Sequence, residues 1–494
     1  MKARDIQKAG VPAGPMLKLA LSLMGPAAQA GLKKKQIMER LRNVVAAPEA
    51  FLDDPLFGLL AKAMNEESAV DSDSLWRTSP ACRARARSAG RARRAPEKAE
   101  VGPTSATEDN GESMTAAPWR MWGSDLDRAA IDQMRNACRL PVAVQGALMP
   151  DAHSGYGLPI GGVLATDNAV IPYAVGMDIA CRMMLTATDM PVNHLDRHRD
   201  ELIRVLESET IFGSGGAFSK PHDHPLMHHD WDFCQVVART KGKAQGQLGT
   251  SGSGNHFVEY GILTLPDSLP DLPAGEYLAI LSHSGSRGPG ATIADHFWKV
   301  AMDSHKGLPK QLQHLGWLSL DSDAGREYWR AMQLMGEFAA ANHEIIHRKL
   351  MRALKSKVLF QMENHHNFAW KETHGGREVV VHRKGATPAG PGVLGIIPGS
   401  MATPGFLVRG NGEPGSMNSA AHGAGRLMSR SEAKNRFAWS NVKKELEAAG
   451  VTLLSAGIDE VPGAYKDIHK VMREQADLVE VVARFDPKIV KMAD

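Results

Sequence analysis

The sequence predicts an α+β protein, in which a small helical module and a linker precede one large domain of mixed helices and strands. Two observations favour this fold class. Short β-like runs, such as "AVIPYAVGMDIACRMML" and "GEYLAILSHSGSR", alternate with turn clusters, and longer helical patterns follow at "AMQLMGEFAAANHEIIHRKLMRAL" and "SEAKNRFAWSNVKKELEAAG". In addition, 494 residues are too many for a single ordinary core. We therefore expect a large mixed domain whose binding site is built from loops.

Three segments follow one another along the chain. Residues 1–65 form the predicted helical module, because "MLKLALSLM" and "KKKQIMERLRNVV" carry apolar residues at helical spacing, with breaks at "AGVPAG" and "DDPLFG". Residues 66–117 are rich in Arg, Ala, Ser and Gly and are predicted to be a disordered linker. Its arginines suit phosphate contacts, but a solvated tether is the preferred interpretation. Residues 118–494 form the predicted large domain.

Composition limits the class of protein. The formal net charge is +3 with 23% charged residues, so any basic surface for nucleic acid or small anions must be local. Four scattered cysteines are too few for a disulfide framework and indicate a reducing cytoplasm. No apolar run approaches the roughly eighteen residues of a membrane span, and the first residues do not resemble a signal peptide. We expect a soluble cytoplasmic protein without a membrane partner.

Several residues have the chemistry of metal ligands. Asp178 and Cys181 stand three apart in "VGMDIACRM", where a carboxylate and a thiolate suit a transition metal better than Mg²⁺ alone. A lone cysteine is more often a small buried hydrophobe, and a single histidine is more often structural. Three histidine-bearing segments nevertheless sit beside Gly, Asn or Ser clusters, where strands pass into loops. Together they predict a two-metal site bridged by the cysteine, with candidate ligands His256, His283 and the pair His365 and His366.

Two further segments suit a nucleotide. "GIIPGSMATPGF" is a Gly-rich loop whose backbone amides and Ser400 are suited to phosphate, although it matches neither a P-loop nor a dinucleotide fingerprint. "VVVHRKGATPAG" places His382, Arg383 and Lys384 in a row after a β-like run. Strand ends with Arg and Lys often meet phosphate oxygens, and a basic turn in water is an equally good interpretation.

His422 stands at the head of "HGAGR", where its glycine and alanine neighbours let another molecule approach the backbone closely. An imidazole nitrogen is a good nucleophile toward phosphorus and forms a covalent phosphoramidate. Arg426 is suited to offset phosphate charge, which favours attack on phosphorus. A general base and a structural histidine are the alternatives.

The ordered motifs of this chain resemble those of the RtcB-type RNA ligases, from "MWGSDLD" to the C-terminus. The resemblance depends on "MPDAHSGYGLPIGGV", "GMDIACRM", "GTSGSGNHFVEY", "HSGSRG", "HHNFAWK", "HRKGA", "IPGSM", "HGAGRLMSR", "YKD" and "IVK". It implies an RtcB-like catalytic domain with a large mixed sheet, to which the helical N-terminal module is an addition.

The resemblance also implies an activity. Members of the family use GTP and two Mn²⁺ ions, and the histidine matching His422 becomes guanylylated. The guanylyl group then passes to an RNA 3′-phosphate, which can arise from a 2′,3′-cyclic phosphate, and a 5′-hydroxyl attacks the activated end as GMP leaves. This chemistry serves tRNA splicing or RNA repair and leaves room for an activating protein partner.

The family's site residues transfer to this chain one by one. One manganese would be held by Cys181, His283 and His366, and the other by Asp178, Cys181 and His256. The family's ligand is the histidine directly before asparagine, which selects His366 over His365. Nucleotide contacts would come from Asn255, His256, Phe257, Val258, Glu259 (reading the guanine edge), His366, Asn367, Pro398, Gly399, Ser400, Met401, Gly405, Gly423, Ala424, Gly425, Tyr465 and Lys491, around the nucleophile His422.

The sequence departs from the family pattern at several positions, among them Arg182, Pro388 and Gly405. Arg182 replaces the usual glycine after the metal cysteine, Gly405 replaces a serine that contacts guanine, and Pro388 replaces an arginine. None of them is a metal ligand or the nucleophile. An active RNA ligase is therefore the preferred hypothesis. The alternatives are a ligase or capping enzyme for DNA 3′-phosphate ends, and an inactive paralogue that binds GTP or RNA.

Overall fold

A computed structural model describes residues 34–52 and 116–494, together with scattered residues between 6 and 61. The chain divides into two compact units, Met1–Thr78 and Ser79–Asp494. The predicted linker over residues 66–117 lies outside the described residues except for its last two, and it stays a prediction. None of the described helices is both long and apolar enough to cross a membrane.

Most described residues of the first unit lie in helices or turns, and the predicted bounds of the helical module, 1–65, stay a prediction. Helix α1 spans Lys34–Ala46, and a 3₁₀ helix follows at Pro48–Phe51. One face of α1 buries Ile37, Leu41 and Val44 in a small apolar cluster, which is the pattern expected of an amphipathic helix.

The second unit mixes helices and strands, which confirms the predicted fold class. Its helices are α2 (Arg128–Ala137), α3 (Pro172–Val175), α4 (His194–Arg197), α5 (Arg199–Glu209), α6 (Gln235–Gln247), α7 (Arg287–Ser304), α8 (Asp323–Ala353), α9 (Arg430–Arg436), α10 (Trp439–Ala448) and α11 (Ile468–Glu474). Further 3₁₀ turns lie at Pro225–His228, Lys310–Leu315, Pro414–Ser416, Ile458–Glu460 and Pro462–Ala464.

An eight-stranded sheet forms one half of this unit. In spatial order its strands are β13 (Leu394–Ile397), β14 (Gly405–Gly410), β17 (Val479–Met492), β6 (Phe257–Leu265), β7 (Gly275–Ser284), β5 (Arg182–Thr188) and β9 (Val358–His365), and β16 (Thr452–Ser455) joins β17. All pairs are antiparallel except β16 with β17. The sheet is nearly closed, because the Ile396 backbone on edge strand β13 donates to the Asn364 side chain on the other edge strand, at 3.0 Å.

A five-stranded sheet forms the other half, in the order β1 (Trp119–Met121), β2 (Ala143–His153), β3 (Ile160–Thr166), β11 (Arg377–Lys384) and β10 (Asn367–His374). Two short ladders complete the set. They pair β4 (Ala169–Val170) with β8 (Leu318–Ser319), and β12 (Ala386–Pro388) with β15 (Ser419–Ala421). Chain segments pass repeatedly between the two large sheets, so loops from both meet around one site.

Two segments differ from the secondary structure that their sequence patterns predicted. The run "AVIPYAVGMDIACRMML" was expected to be β-like throughout, but α3 separates β4 from β5, because Pro172 suits the first turn of a helix. The pattern "SEAKNRFAWSNVKKELEAAG" forms two helices, α9 and α10, since Phe437 and Ala438 adopt extended backbone angles. The long pattern before it is helical as predicted, in α8.

Candidate active site

Four adjacent strands bring the histidines and the cysteine together. In the eight-stranded sheet β7 pairs antiparallel with both β6 and β5, and β5 pairs antiparallel with β9. The starts of β5 and β6 therefore lie beside the ends of β7 and β9. Cys181 and His256 immediately precede β5 and β6, while His283 lies near the end of β7 and His366 directly follows β9. Segments that are distant in sequence thus meet where these four strands begin or end, on the same side of the sheet.

These side chains form two overlapping groups of candidate metal ligands, which share the cysteine. The Sγ atom of Cys181 lies 3.0 Å from Nε2 of His283 and 3.3 Å from Nε2 of His256. The Nε2 atoms of His283 and His366 are 3.2 Å apart, and Nε2 of His256 lies 3.0 Å from Oδ2 of Asp178. Within each group the ligand atoms lie within 4.8 Å of one another.

Burial keeps the histidines of this cluster neutral. Desolvation lowers the pKa of His256, and lowers the pKa of both His283 and His366 well below its usual value. The Nδ1 atom of His283 lies 3.1 Å from the backbone carbonyl of Asn255, which can only accept, so Nδ1 carries the proton. The Nε2 lone pair of His283 therefore points toward the cysteine, as a metal ligand requires.

The carboxylate of Asp178 is held in its ionised form. Burial alone would raise its pKa, but hydrogen bonding to His256 and the nearby positive charge of Arg287 lower it below the usual value. The backbone N–H of Ser286 also donates to Asp178, at 3.0 Å. Position 285 must be glycine for this approach, because a Cβ atom on Gly285 would lie 2.3 Å from the carboxylate oxygens.

The donor set fits a metal-binding site. Imidazole and thiolate are borderline or soft ligands, and the single carboxylate adds a hard oxygen. Burial raises the pKa of the Cys181 thiol well above its usual value, so an ionised thiolate at this depth needs a nearby cation. Neutral imidazoles, one carboxylate and one shared sulfur thus converge in a donor set that could hold metal.

His422 lies beside this cluster and is fixed by Asp151. It directly follows β15, and its ring centroid is 4.9 Å from that of His366. The Nδ1 atom of His422 lies 2.7 Å from Oδ2 of Asp151, and the backbone N–H of His422 donates to the same oxygen at 3.2 Å. Because a carboxylate only accepts, Nδ1 carries the proton and Nε2 keeps a free lone pair. This is the tautomer of a nucleophilic histidine.

The glycine of the HGAGR motif explains how Asp151 comes so close. Gly425 has φ +73°, in the left-handed region, and a Cβ atom there would lie 2.0 Å from the carbonyl oxygen of Asp151. Only glycine permits this contact between the loop of His422 and strand β2.

A cavity of about 430 Å³ opens onto both His422 and the metal-ligand cluster. Its wall takes residues from both large sheets and from the loops between them. Most residues expected to contact the nucleotide line it: Asn255, His256, Phe257, Glu259, His366, Asn367, Pro398, Gly399, Ser400, Met401, Gly405, His422, Gly423, Ala424, Gly425 and Tyr465.

Val258 and Lys491 are exceptions, because neither lines the cavity, and their contact with the nucleotide stays a prediction. They are paired across β6 and β17, and alternation along a strand turns both away from the cavity that Phe257 and Met492 line. Val258 is buried in a separate apolar cluster. The ammonium of Lys491 donates to backbone carbonyls at the end of α5 and just beyond it, among them that of Glu207, at 3.1 Å.

The arginines and histidine expected to meet phosphate are mostly engaged elsewhere. Arg426 donates to Glu460 at 3.1 Å and to the carbonyl of Asp459 at 2.7 Å, so its charge is already balanced. Arg383 is fully buried and bonds Glu372, and His382 is buried in the five-stranded sheet. Of the row of three basic residues only the third lines the cavity.

Four residues at the site had been given no firm role from the sequence. They are this third basic residue, Lys384, and Asp151, Arg287 and Glu460. Burial lowers the pKa of Lys384 to about 7, and an anion in the cavity would favour the protonated, positively charged form of this lysine. Arg287 donates to Nδ1 of His256 at 2.8 Å. Both Asp151 and Arg287 lie inside motifs that were recognised, "MPDAH" and "HSGSRG", and that context was the available signal.

The fold and site define a candidate enzyme, in which a histidine beside a cluster of potential metal ligands faces a cavity of about 430 Å³. The family model described as "tRNA-splicing ligase RtcB" matches residues 133–492. The chain therefore belongs to the RtcB family of tRNA-splicing ligases, as its motifs predicted.

Similar proteins from bacteria and archaea carry the same family name. The chain is 33% identical over 397 residues to "RNA-splicing ligase RtcB" of Escherichia coli K12, covering 74% of this chain and 95% of that protein. It is 32% identical to "tRNA-splicing ligase RtcB" of Nanoarchaeum equitans, covering 77% and 96%. A protein of the same name from Thermococcus kodakarensis is 28% identical, covering 72% and 89%.

Proposed function

We propose that this protein joins an RNA 3′-phosphate or 2′,3′-cyclic phosphate end to an RNA 5′-hydroxyl end, and that it consumes GTP through a guanylylated His422. The observation that carries the proposal is the position of His422. Its Nδ1–H is bound to the buried Asp151, and its ring lies beside a shared thiolate–imidazole cluster in the same cavity. A binding protein needs no such nucleophile.

His422 carries out the first step. Its Nε2 lone pair attacks the α-phosphorus of GTP, a P–N bond forms, the bond to the bridging oxygen breaks, and pyrophosphate leaves. The imidazole becomes positively charged as it bonds to phosphorus, and the carboxylate of Asp151 on Nδ1–H offsets that charge. No proton has to leave His422 in this step.

The metal ligands would hold two Mn²⁺ ions, one on Cys181, His283 and His366, and the other on Asp178, Cys181 and His256. Bound cations of this kind neutralise phosphate oxygens and make phosphorus more electrophilic. The backbone carbonyl of Asn255 keeps one of these ligands oriented, because it accepts from Nδ1–H of His283.

The RNA end is then activated and joined. An oxygen of the RNA 3′-phosphate attacks the phosphorus on His422, the P–N bond breaks, and the RNA carries a diphosphate bridge to guanosine. The 5′-hydroxyl of the second strand attacks the RNA phosphorus, loses its proton, and GMP leaves with the bridging oxygen. A 2′,3′-cyclic phosphate first takes up water to give the 3′-phosphate. Lys384 on the cavity wall is suited to offset phosphate charge in these steps.

The guanine is proposed to lie against Glu259, the segment Pro398–Met401 and Tyr465, which all line the cavity. Glu259 is buried and faces the cavity from β6, so a carboxylate there can accept from the N–H groups that distinguish guanine from adenine. Gly405 leaves one base contact of the family pattern unfilled.

Labelled GTP tests the proposal directly. After incubation with GTP labelled at the α-phosphate and Mn²⁺, we expect an acid-labile, alkali-stable protein–GMP adduct that is lost in His422→Ala. His365→Gln is the matched control, because His365 packs edge-on against Phe368 rather than joining the cluster, and this variant should keep the adduct. No adduct with any divalent metal would contradict the proposal. RNA and DNA strands with matching ends then separate an RNA ligase from a DNA-end enzyme.

A further inference from the structure

One aromatic side chain at the active-site cavity is not used by the chemistry above. Tyr156 lines the cavity, yet 70% of its surface is exposed to solvent. It lies in the loop between β2 and β3, so it reaches the cavity from the five-stranded sheet, whereas Glu259 reaches it from the eight-stranded sheet. An aromatic ring exposed beside a cavity offers a flat face on which a nucleobase can stack.

Other aromatic rings support Tyr156 from behind. Tyr173 and His314 both pack edge-on against it, with ring centroids 6.3 and 6.0 Å away. Trp298 in turn stacks on His314 at 5.5 Å and packs against Tyr173 at 4.7 Å. We call these four residues the aromatic platform. Its outermost ring, that of Tyr156, is exposed, whereas Tyr173, Trp298 and His314 are half-buried.

The loop that presents Tyr156 is anchored at several backbone positions. The amide side chain of Gln133 bonds both backbone groups of Gly155, and the N–H of Gly155 donates to it at 3.0 Å. The ammonium of Lys384 donates to the carbonyl of Tyr156, and the N–H of Ser154 donates to Asp127 at 3.2 Å. A ring held in this way loses little conformational freedom when a ligand covers it, so the contact is efficient.

The ligand must present a flat ring at the edge of the cavity. If guanine occupies the wall formed by Glu259 and Tyr465, the aromatic platform is left for another group, and an RNA end has to enter the same cavity. Proteins recognise unpaired RNA ends by stacking their bases on aromatic side chains. Met177, 38% exposed, also lines this wall and adds apolar surface for a base.

We infer that Tyr156 stacks against a nucleobase at the RNA end that enters the cavity, which makes the aromatic platform a substrate-binding subsite. This inference rests on the proposed function, because it requires an RNA substrate. The base belongs either to the 3′-phosphate strand or to the 5′-hydroxyl strand, and both sources present the same flat ring.

The test compares ligation by wild type, Tyr156→Leu and Tyr156→Phe with short synthetic RNA strands, varying the concentration of one strand at a time. Loss of the ring in Tyr156→Leu should raise the half-saturating concentration of one strand roughly 5- to 100-fold, with a smaller effect on the rate at saturation. Tyr156→Phe keeps the ring and should stay close to wild type. Thermal melts and manganese content check that the variants are folded.

Strands with an abasic terminal nucleotide show whether the ring acts through a base. For the strand whose base stacks on Tyr156, removing that base should weaken wild type and leave Tyr156→Leu almost unaffected. Equal half-saturation in wild type and Tyr156→Leu, or an equal loss with intact and abasic ends on both strands, would overturn the inference alone. Failure of wild type to join RNA would overturn the proposed function as well.

Discussion

The Nδ1 atom of His422 lies 2.7 Å from Oδ2 of Asp151, a carboxylate that is completely buried. Among the described residues no donor reaches the other oxygen, Oδ1. The negative charge of Asp151 is therefore directed mainly at the imidazole and the backbone N–H of His422. This pair sets the tautomer of His422 and places a compensating charge where a positive imidazole would form.

Asp151→Asn should slow guanylylation strongly while leaving the metal site in place. An amide can still accept from Nδ1–H of His422, but it offers no negative charge to the imidazole and can select the wrong tautomer. We expect a loss of about 10²- to 10⁴-fold, as for carboxylates that orient catalytic histidines in other enzymes. Single-turnover formation of the labelled GMP adduct measures the rate, and unchanged manganese content is the control. A variant as fast as wild type would refute the role of Asp151.

Cys181→Ser should abolish metal occupancy and guanylylation together, because one thiolate serves both groups of ligands. Elemental analysis of the purified protein measures the manganese, and the labelled adduct measures the chemistry. Cys234→Ser is a matched control, since Cys234 is also buried but belongs to the apolar core. If Cys181→Ser kept its manganese, the bridging role would be wrong.

His366→Gln and His365→Gln form a second matched pair, on neighbouring residues. The Nε2 atom of His366 lies 3.2 Å from Nε2 of His283 in the cluster. The ring of His365 instead packs edge-on against Phe368, with the ring centroids 4.9 Å apart. Only the His366 variant should lose manganese and the adduct. Equal losses in both variants would indicate a packing defect in β9 rather than the loss of a ligand.

Glu259→Ala and Glu259→Gln should weaken selection of GTP over ATP. A buried carboxylate that accepts from the N–H groups of guanine does not find the same partners on adenine. Removing the carboxylate should therefore reduce the ratio of adduct formation with GTP to adduct formation with ATP roughly 10- to 100-fold. Adduct formation with each labelled nucleotide gives this ratio. Unaltered discrimination would remove the assignment of Glu259 to the base.

GTP binding should tighten as the pH rises, through Glu259. Burial raises the pKa of Glu259 well above its usual value, so the free protein keeps a proton there at a higher pH than an exposed glutamate does. Accepting from guanine requires the ionised form, so binding releases that proton. While the pH stays below that raised pKa, the affinity for a non-reacting GTP analogue should increase with pH, by at most about tenfold per pH unit. The Glu259→Gln variant should lack this component. Identical pH slopes in the two proteins would contradict it.

Arg182→Met should lower the thermal stability, because Arg182 braces the loop that presents Cys181. Its guanidinium bonds Glu363 at 2.8 Å and the carbonyl of Gly336 at 2.9 Å. We expect a loss of roughly 2–4 kcal/mol, seen as a lower melting temperature. The control Arg330→Met removes an exposed pair with Asp230 and should cost less than about 1 kcal/mol. Equal melting temperatures for the Arg182 variant and wild type would show that this departure from the family is neutral.

The fold class could be predicted because local patterns survive folding. The helical spacing before Ala353 appears as α8, and the run ending in "SHSGSR" appears as β7 followed by α7. Pro172 was a local signal for a short helix that the β-like pattern obscured. The sheet order was not predictable, since β17, the last strand, lies between β14 and β6 through pairings distant in sequence.

Residue types and motif order were enough to name the candidate ligands and the candidate nucleophile that the structure brings together, because thiolate, imidazole and carboxylate chemistry belongs to the side chains themselves. Which side of a strand faces the cavity depends on register, and this turned Val258 and Lys491 away and left Glu259 inside. The contact between His422 and Asp151 joins residues far apart in the chain, and only the packing of Gly425 against β2 brings them together. Chemistry was therefore readable from the sequence, whereas distance and orientation, which decide whether that chemistry occurs, came from the tertiary structure.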